Sequence, residues 1–95
     1  MSLPPLVTIH VLGPLRAYCG GAAQLSVPAA TVRAALEHLE RAQPALYRNI
    51  CDERGAVRRH LNVFVNTHHV RDLHGIDTAL AAGDVVTILP AVSGG

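Results

Sequence analysis

Asp84-Val85-Val86-Thr87-Ile88-Leu89-Pro90-Ala91-Val92-Ser93-Gly94-Gly95 is the stretch from which the rest of the chain can be read. Val85 to Leu89 is an apolar run broken once, by Thr87, which suits a strand in the middle of a small sheet. Gly83-Asp84 turns the chain into it. Pro90 has no N–H to give to a ladder, so regular pairing is expected to stop there. Ala91 to Gly95 then carries small residues only and ends in two glycines and a free carboxylate. Glycine has no Cβ and reaches backbone angles closed to other residues. Residues 91–95 are therefore read as a slender, flexible tail that presents its own carboxylate as a reactant. Gly94 and Gly95 are the reactive end, and Ala91, Val92 and Ser93 form the arm.

Upstream of that strand, Gly75, Asp77 and Leu80 fit a short helical turn that drops Leu80 into the core. His69 to Arg71 reads as a brief edge strand after a turn at Asn66-Thr67. Leu61 to Asn66 alternates cleanly, with Leu61, Val63 and Val65 inward and Asn62, Phe64 and Asn66 outward. The last strand alternates in the same way, and Thr87 carries Val85 and Leu89 outward with it. Phe64, Val85 and Leu89 are thus expected to form one apolar patch beside the tail, and such a patch on a small protein marks a protein contact. The blander reading of Phe64 is a partly covered ring that stiffens the sheet. Phe64, Leu89 and Pro90 are taken as the docking residues.

In the first half, Leu6 to Leu12 reads as a strand, with Val7, Ile9 and Val11 on one face and Thr8 and His10 on the other. Gly13-Pro14 ends it, and Gly20-Gly21 signals a turn before a second strand near Ala23 to Val27. So short a connection predicts an antiparallel pair. Thr31 is a plausible N-cap. Val32, Ala35, Leu36 and Leu39 recur at helical spacing, with Glu37 and Arg41 four apart on the other side. Pro44 stops this helix near Gln43, Leu46 and Ile50 suggest one further turn, and Asp52 to His60 reads as an exposed loop. The pattern is α+β: a β-grasp, with a mixed sheet of four to five strands and one main helix on one face. Residues 1–95 form a single domain in this reading.

Composition narrows the function. A net charge of +1, with eight arginines, seven acidic residues and no visible basic block, makes nucleic acid a poor partner. No apolar run approaches the roughly 18 residues of a membrane span, and Met1 to Pro5 lacks the features of a leader, so a cytoplasmic protein is expected, monomeric when free. Cys19 and Cys51 stand alone and are read as reduced thiols. There is no lysine, so the chain offers no ε-amine for linking to itself. His68, His69 and His74 invite a metal, but adjacent strand residues point to opposite faces and no further ligand stands at a familiar spacing, so no metal site is expected. The chain also lacks a glycine-rich phosphate loop, a nucleophile elbow and an evident carboxylate pair, which argues against an enzyme.

Gly83-Asp84-x-Val86-x-Ile88-Leu89-Pro90-Ala91-Val92-Ser93-Gly94-Gly95, with Leu61-Asn62-Val63-Phe64-Val65-Asn66, Val70-Arg71 and Leu80 before it, resembles the ubiquitin-like sulfur carrier proteins. The likeness covers the chain in outline and is specific from about residue 61 onward. It implies a protein co-substrate with no resident cofactor, whose Gly95 carboxylate is adenylated by ATP, with magnesium, inside a separate activating enzyme. A sulfur donor then converts the adenylate to a thiocarboxylate, which a sulfur-accepting biosynthetic enzyme consumes. The Ile88-Leu89-Pro90-Ala91-Val92 run and the long middle loop look nearest to carriers that serve cysteine or another thio-metabolite. The small subunit of molybdopterin synthase is the runner-up. A protein modifier joined through Gly95, or an interaction module with an inert tail, are the readings of other classes.

Overall fold

A computed structural model describes residues 3–90, so Met1, Ser2 and the whole tail, Ala91 to Gly95, lie outside the described residues. Five strands, β1 (Leu6–Val11), β2 (Gln24–Pro28), β3 (Leu61–Val65), β4 (His68–His69) and β5 (Val85–Pro90), form one mixed sheet in the order β2-β1-β5-β3-β4. β1 is antiparallel to β2 and parallel to β5, while β3 is antiparallel to both β5 and β4. Two helices, α1 (Val32–Ala42) and α2 (Pro44–Ile50), lie between β2 and β3 in the chain. This is the β-grasp arrangement, with the last strand at the centre.

The alternation in the sequence sets the two faces of the sheet. Val7, Ile9 and Val11 of β1, Val63 of β3, and Val86 and Ile88 of β5 are all buried on the inner face. α1 lays Val32, Ala35, Leu36 and Leu39 into the same core. Each fully buried Leu or Ile contributes about 1.5–3 kcal/mol by leaving water, so this inner layer is where the stability resides. Thr31 caps α1 by accepting a hydrogen bond from Ala34 N at 3.0 Å. The segment after Asp77 braces the start of α1: Val32 N donates to Thr78 O at 3.1 Å, and Leu80 N donates to Ala30 O at 2.9 Å. Leu80 is buried, as its spacing predicts.

Four local expectations need correction. The chain from Gly13 to Cys19 forms a 3-10 helix rather than an irregular turn, and it buries Leu15 and Cys19 against α2. The edge strand β4 comes one residue early, at His68–His69, and Val70–Asp72 is a 3-10 turn. Glu37 and Arg41 do not close an ion pair; the pairs within 4.0 Å among the described residues are Arg33–Asp77 and Arg54–Asp52. Finally, Pro90 remains in the ladder, opposite Leu61. Thr8 N donates to Asp84 O and Leu12 N to Ile88 O, so even-numbered residues of β5 turn their backbone toward β1. The N–H that Pro90 lacks would therefore point to the β1 side, so its absence costs the β3 ladder nothing.

Candidate functional site

The start of β5 is held by side chains. Asn66 adopts the left-handed conformation, with φ of 55°, which asparagine tolerates better than most residues. Its backbone N–H donates to Val85 O at 2.7 Å, its Oδ1 accepts from Val85 N at 3.1 Å, and its Nδ2 donates to Asp84 Oδ1 at 3.2 Å. Asp84 Oδ2 in turn accepts from Ala81 N at 2.8 Å, closing the turn at Gly83, whose φ is 87°. This clasp fixes the register of β5.

The last described residue of β5 is Pro90. It lines a shallow recess with Pro14, Leu15, Tyr18, Asn49, His60 and Leu61, drawn from the 3-10 segment, α2 and the start of β3. Tyr18 is 43% exposed, one of the most exposed large apolar side chains in the described chain. Nothing in the sequence pattern around Tyr18 singles it out. Its one available signal was rarity, since the chain has three aromatic residues.

The outer face of the sheet carries the other docking candidates. Phe64 is half-buried and pairs with Thr87 across β3 and β5, while Leu89 pairs with Asn62. Val85 and Leu89 are therefore diagonal neighbours of Phe64, on the same face, with neutral polar groups between them. The face is mixed rather than continuously apolar. His69, opposite Phe64 on β4, packs edge-on against its ring with centroids 5.0 Å apart. Its Nε2 donates to Asn62 Oδ1 at 3.0 Å, and its Nδ1 accepts from Arg71 N at 3.1 Å. On the far side, Gln24 Nε2 donates to His10 Nε2 at 3.0 Å, and His10 neighbours Thr87. A row Gln24, His10, Thr87, Phe64, His69 thus crosses the whole sheet. No outward residue of the five strands is Asp, Glu, Lys or Arg. Depletion of formal charge over half-exposed aromatic and polar side chains is the compositional mark of a protein interface.

Cys19 and Cys51 are free and buried. Burial pushes the Cys51 thiol up to about 11, only partly offset by the Tyr47 hydroxyl, which leaves it protonated and unreactive. The carboxyl of Asp52 lies below its ordinary value because the Ala56 and Arg54 backbone N–H groups hydrogen-bond it; it shapes a turn. Among the described residues no three His, Cys, Asp or Glu side chains stand close enough to hold a metal, and His68 and His69 face opposite sides of the sheet. No helix among them is long and apolar enough to cross a membrane.

A β-grasp sheet with an uncharged outer face and a final strand running toward Gly-Gly defines a ubiquitin-like protein. Residues 9–95 match the model of the ThiS family, and the chain belongs to that family of sulfur carriers, substrates rather than catalysts. It is 37% identical to the sulfur carrier protein CysO of Mycobacterium tuberculosis over 94% of this chain and 98% of that one. The crystal structure of that CysO superposes with a TM-score of 0.83 at 36% identity, covering 90% of this chain and 99% of the other. CysO in the BexX/CysO complex of Amycolatopsis orientalis superposes with a TM-score of 0.83 at 32% identity, over 94% and 99% of the two chains. Small archaeal modifier protein 3 of Haloferax volcanii is 39% identical over 70% of this chain and 71% of its own length.

Proposed function

We propose that this protein carries sulfur as a thiocarboxylate on Gly95 and donates it in the biosynthesis of cysteine or a related thio-metabolite. The observation that carries the reading is the near full-length likeness to CysO, joined to a family match that runs through Gly94-Gly95. In the first step a Gly95 carboxylate oxygen attacks the α-phosphorus of ATP in an activating enzyme, with Mg²⁺ on the nucleotide. Pyrophosphate leaves and an acyl-adenylate forms. Sulfide then adds to the acyl carbon and AMP departs, so one oxygen of the carboxylate is replaced by sulfur. A carboxylate is a poor electrophile, and adenylation supplies the leaving group it lacks. Asp and Glu side chains carry the same group, but none extends from the end of a chain of small residues.

In this reading the fold contributes delivery. The clasp at Asn66 and Asp84 fixes the register of β5, the arm Ala91-Val92-Ser93 follows it in the sequence, and the face bearing Phe64 and Leu89 docks on the partner. Incubation with ATP, magnesium, sulfide and an adenylating partner should add about 16 Da, mapping to the peptide that ends at Gly95. A mass increase elsewhere, or none with a partner that does adenylate the chain, refutes the mechanism. The likeness to a small archaeal modifier supports a second reading, conjugation through Gly95 to lysines of other proteins. Adenylation followed by amide formation on a target, with no stable thiocarboxylate, would favour it.

A further inference from the structure

The inward residues of β5 recur with a period of two. Val86 and Ile88 are buried, and Pro90, next in the same series, lines the recess between the 3-10 segment, α2 and the start of β3. That recess has a volume of about 220 Å³. Pro14, Leu15, Leu61 and Pro90 offer it only carbon, and the Tyr18 ring adds to them. Leu15 and Leu61 are buried, whereas Tyr18 keeps 43% of its surface exposed. After Pro90 the sequence continues Ala91-Val92-Ser93-Gly94-Gly95. Slenderness alone would be served by Ala, Ser and Gly, and Val92 is the one bulkier apolar side chain among the five. Consecutive Cα atoms are about 3.8 Å apart, so Val92 begins no more than about 7.6 Å from Pro90 by any path. It also shares the parity of Val86, Ile88 and Pro90, so a continued alternation turns its side chain to the recess side of the sheet and leaves Ala91 and Ser93 on the other.

We propose that the recess between Tyr18 and Pro90 is the seat of Val92, so that the chain holds the root of its own arm against its own body. The occupant is set by connectivity, by the parity of β5 and by chemistry, an aliphatic side chain meeting a carbon-lined hollow. Val92 covers the exposed Tyr18 ring, and the contact shortens the free part of the arm to Ser93-Gly94-Gly95, about 10 Å when extended. Tyr18 and Val92 are then positioning residues: they touch no reacting atom and restrict where the Gly95 carboxylate can be. Their use in this way rests on the carrier reading, although the seat itself does not. An arm already restricted at its root loses less conformational freedom when it enters a partner, which improves binding and leaves the chemical step unchanged.

NMR relaxation and NOE measurements on the isotope-labelled intact protein, free of any partner, test the seat. The Val92 amide should have an order parameter above the roughly 0.6 that marks flexible backbone, with Gly94 and Gly95 below it, and the Val92 methyls should give NOEs to the Tyr18 ring. V92S and Y18S should each drop residue 92 below that value. V92I, which keeps the apolar branch, should retain it, and L73S, at an exposed apolar residue outside the recess, should change nothing. Tyr18 is exposed and position 92 follows the last strand, so these variants should melt with the parent. With an adenylating enzyme, Y18S and V92S should each raise the carrier concentration at half-maximal rate about 3- to 10-fold and leave the maximal rate alone. The double variant should be no worse than either single one, since both remove one contact. A residue 92 as mobile as Gly95 in the parent, order that survives Y18S, or losses that multiply in the double variant would each overturn the proposal and leave sulfur transfer to Gly95 standing. If removing residues 91–95 leaves the Tyr18 resonances unmoved while the adenylating enzyme shifts them, the recess belongs to the partner and the seat falls. An ordered Val92 on a protein that is adenylated and never gains sulfur would uphold the seat and refute the carrier reading.

Discussion

The two faces of the central strands are built from alternate residues of the same sequence and have opposite fates. Inward, Val86 and Ile88 of β5 and Val63 of β3 are at most 1% exposed and share one core with buried residues of α1 and α2. Outward, Val85, Thr87, Leu89 and Phe64 remain partly exposed, in a field of hydroxyls, amides and imidazoles with no formal charge. A sheet face meant only for water would be expected to carry charges, as solvated antiparallel faces do. The outer face is spared them, and the difference separates the side that supplies stability from the side that the carrier reading uses for docking.

The sharpest division between the two roles lies in the tail. Deleting Gly95, or appending one residue after it, should abolish sulfur uptake and leave the melting temperature unchanged; intact-mass spectra and a thermal melt read both. Loss of the melt together with the activity would show that the tail belongs to the fold. Next in size is Ile88→Ala on the inner face, which should cost about 2–5 kcal/mol in urea unfolding, because it opens a cavity in the core. Its outward neighbours should behave otherwise. Phe64→Ala is expected to weaken binding to the activating enzyme by about 1–3 kcal/mol while costing far less stability than Ile88→Ala. Calorimetric titration beside a denaturant melt separates the two effects, and unchanged affinity with a large loss of stability would reverse the roles of the faces.

The smallest effect concerns the thiol beneath α2. The folded Cys51 is raised to about 11 from an ordinary 9.0, chiefly by burial, and Tyr47 is raised for the same leading reason. A group whose folded value lies above its unfolded value supports the fold below the unfolded value and ceases to do so as pH rises through the folded one. Stability should therefore decline between about pH 9 and 11, and Cys51→Ala should blunt the decline. Alkylation of Cys51 at pH 8 should proceed only as fast as the fold opens.

Much of this was legible in the sequence because local and global signals agreed. The alternation from Leu61 to Val65, the Thr31 cap, the stop at Pro44 and the burial of Leu80 each follow from a short pattern whose physics needs no distant partner. What was missed depends on distant partners. Pro90 stays paired with Leu61 because the N–H it lacks would face β1 and not β3, a fact about the neighbouring strands. Glu37 and Arg41 have the favoured spacing, but an exposed i, i+4 pair gains too little to hold two long side chains in place. Arg33 instead meets Asp77, 44 residues on, because the 3-10 turn at Gly75–Asp77 packs beside the start of α1. The same holds for the site: Phe64 and Leu89 could be assigned to a face by counting, whereas the His69 ring on Phe64 and the recess of Tyr18 beside Pro90 required the folded chain.

Placing β5 between β1 and β3 also imposes an order in time. During synthesis the first 84 residues can form the β1–β2 hairpin and both helices, but the sheet retains a gap at its middle until Pro90 has been delivered. Parallel pairing of β1 with a strand more than 70 residues later is a contact of high sequence separation, and such contacts form late. A nascent or truncated chain that stops short of β5 would expose Ile9, Val63 and the underside of α1 to chaperones and proteases. The molecules that survive with a closed sheet are thus those whose synthesis has passed Pro90, so that folding itself acts as proofreading for the strand that precedes the arm.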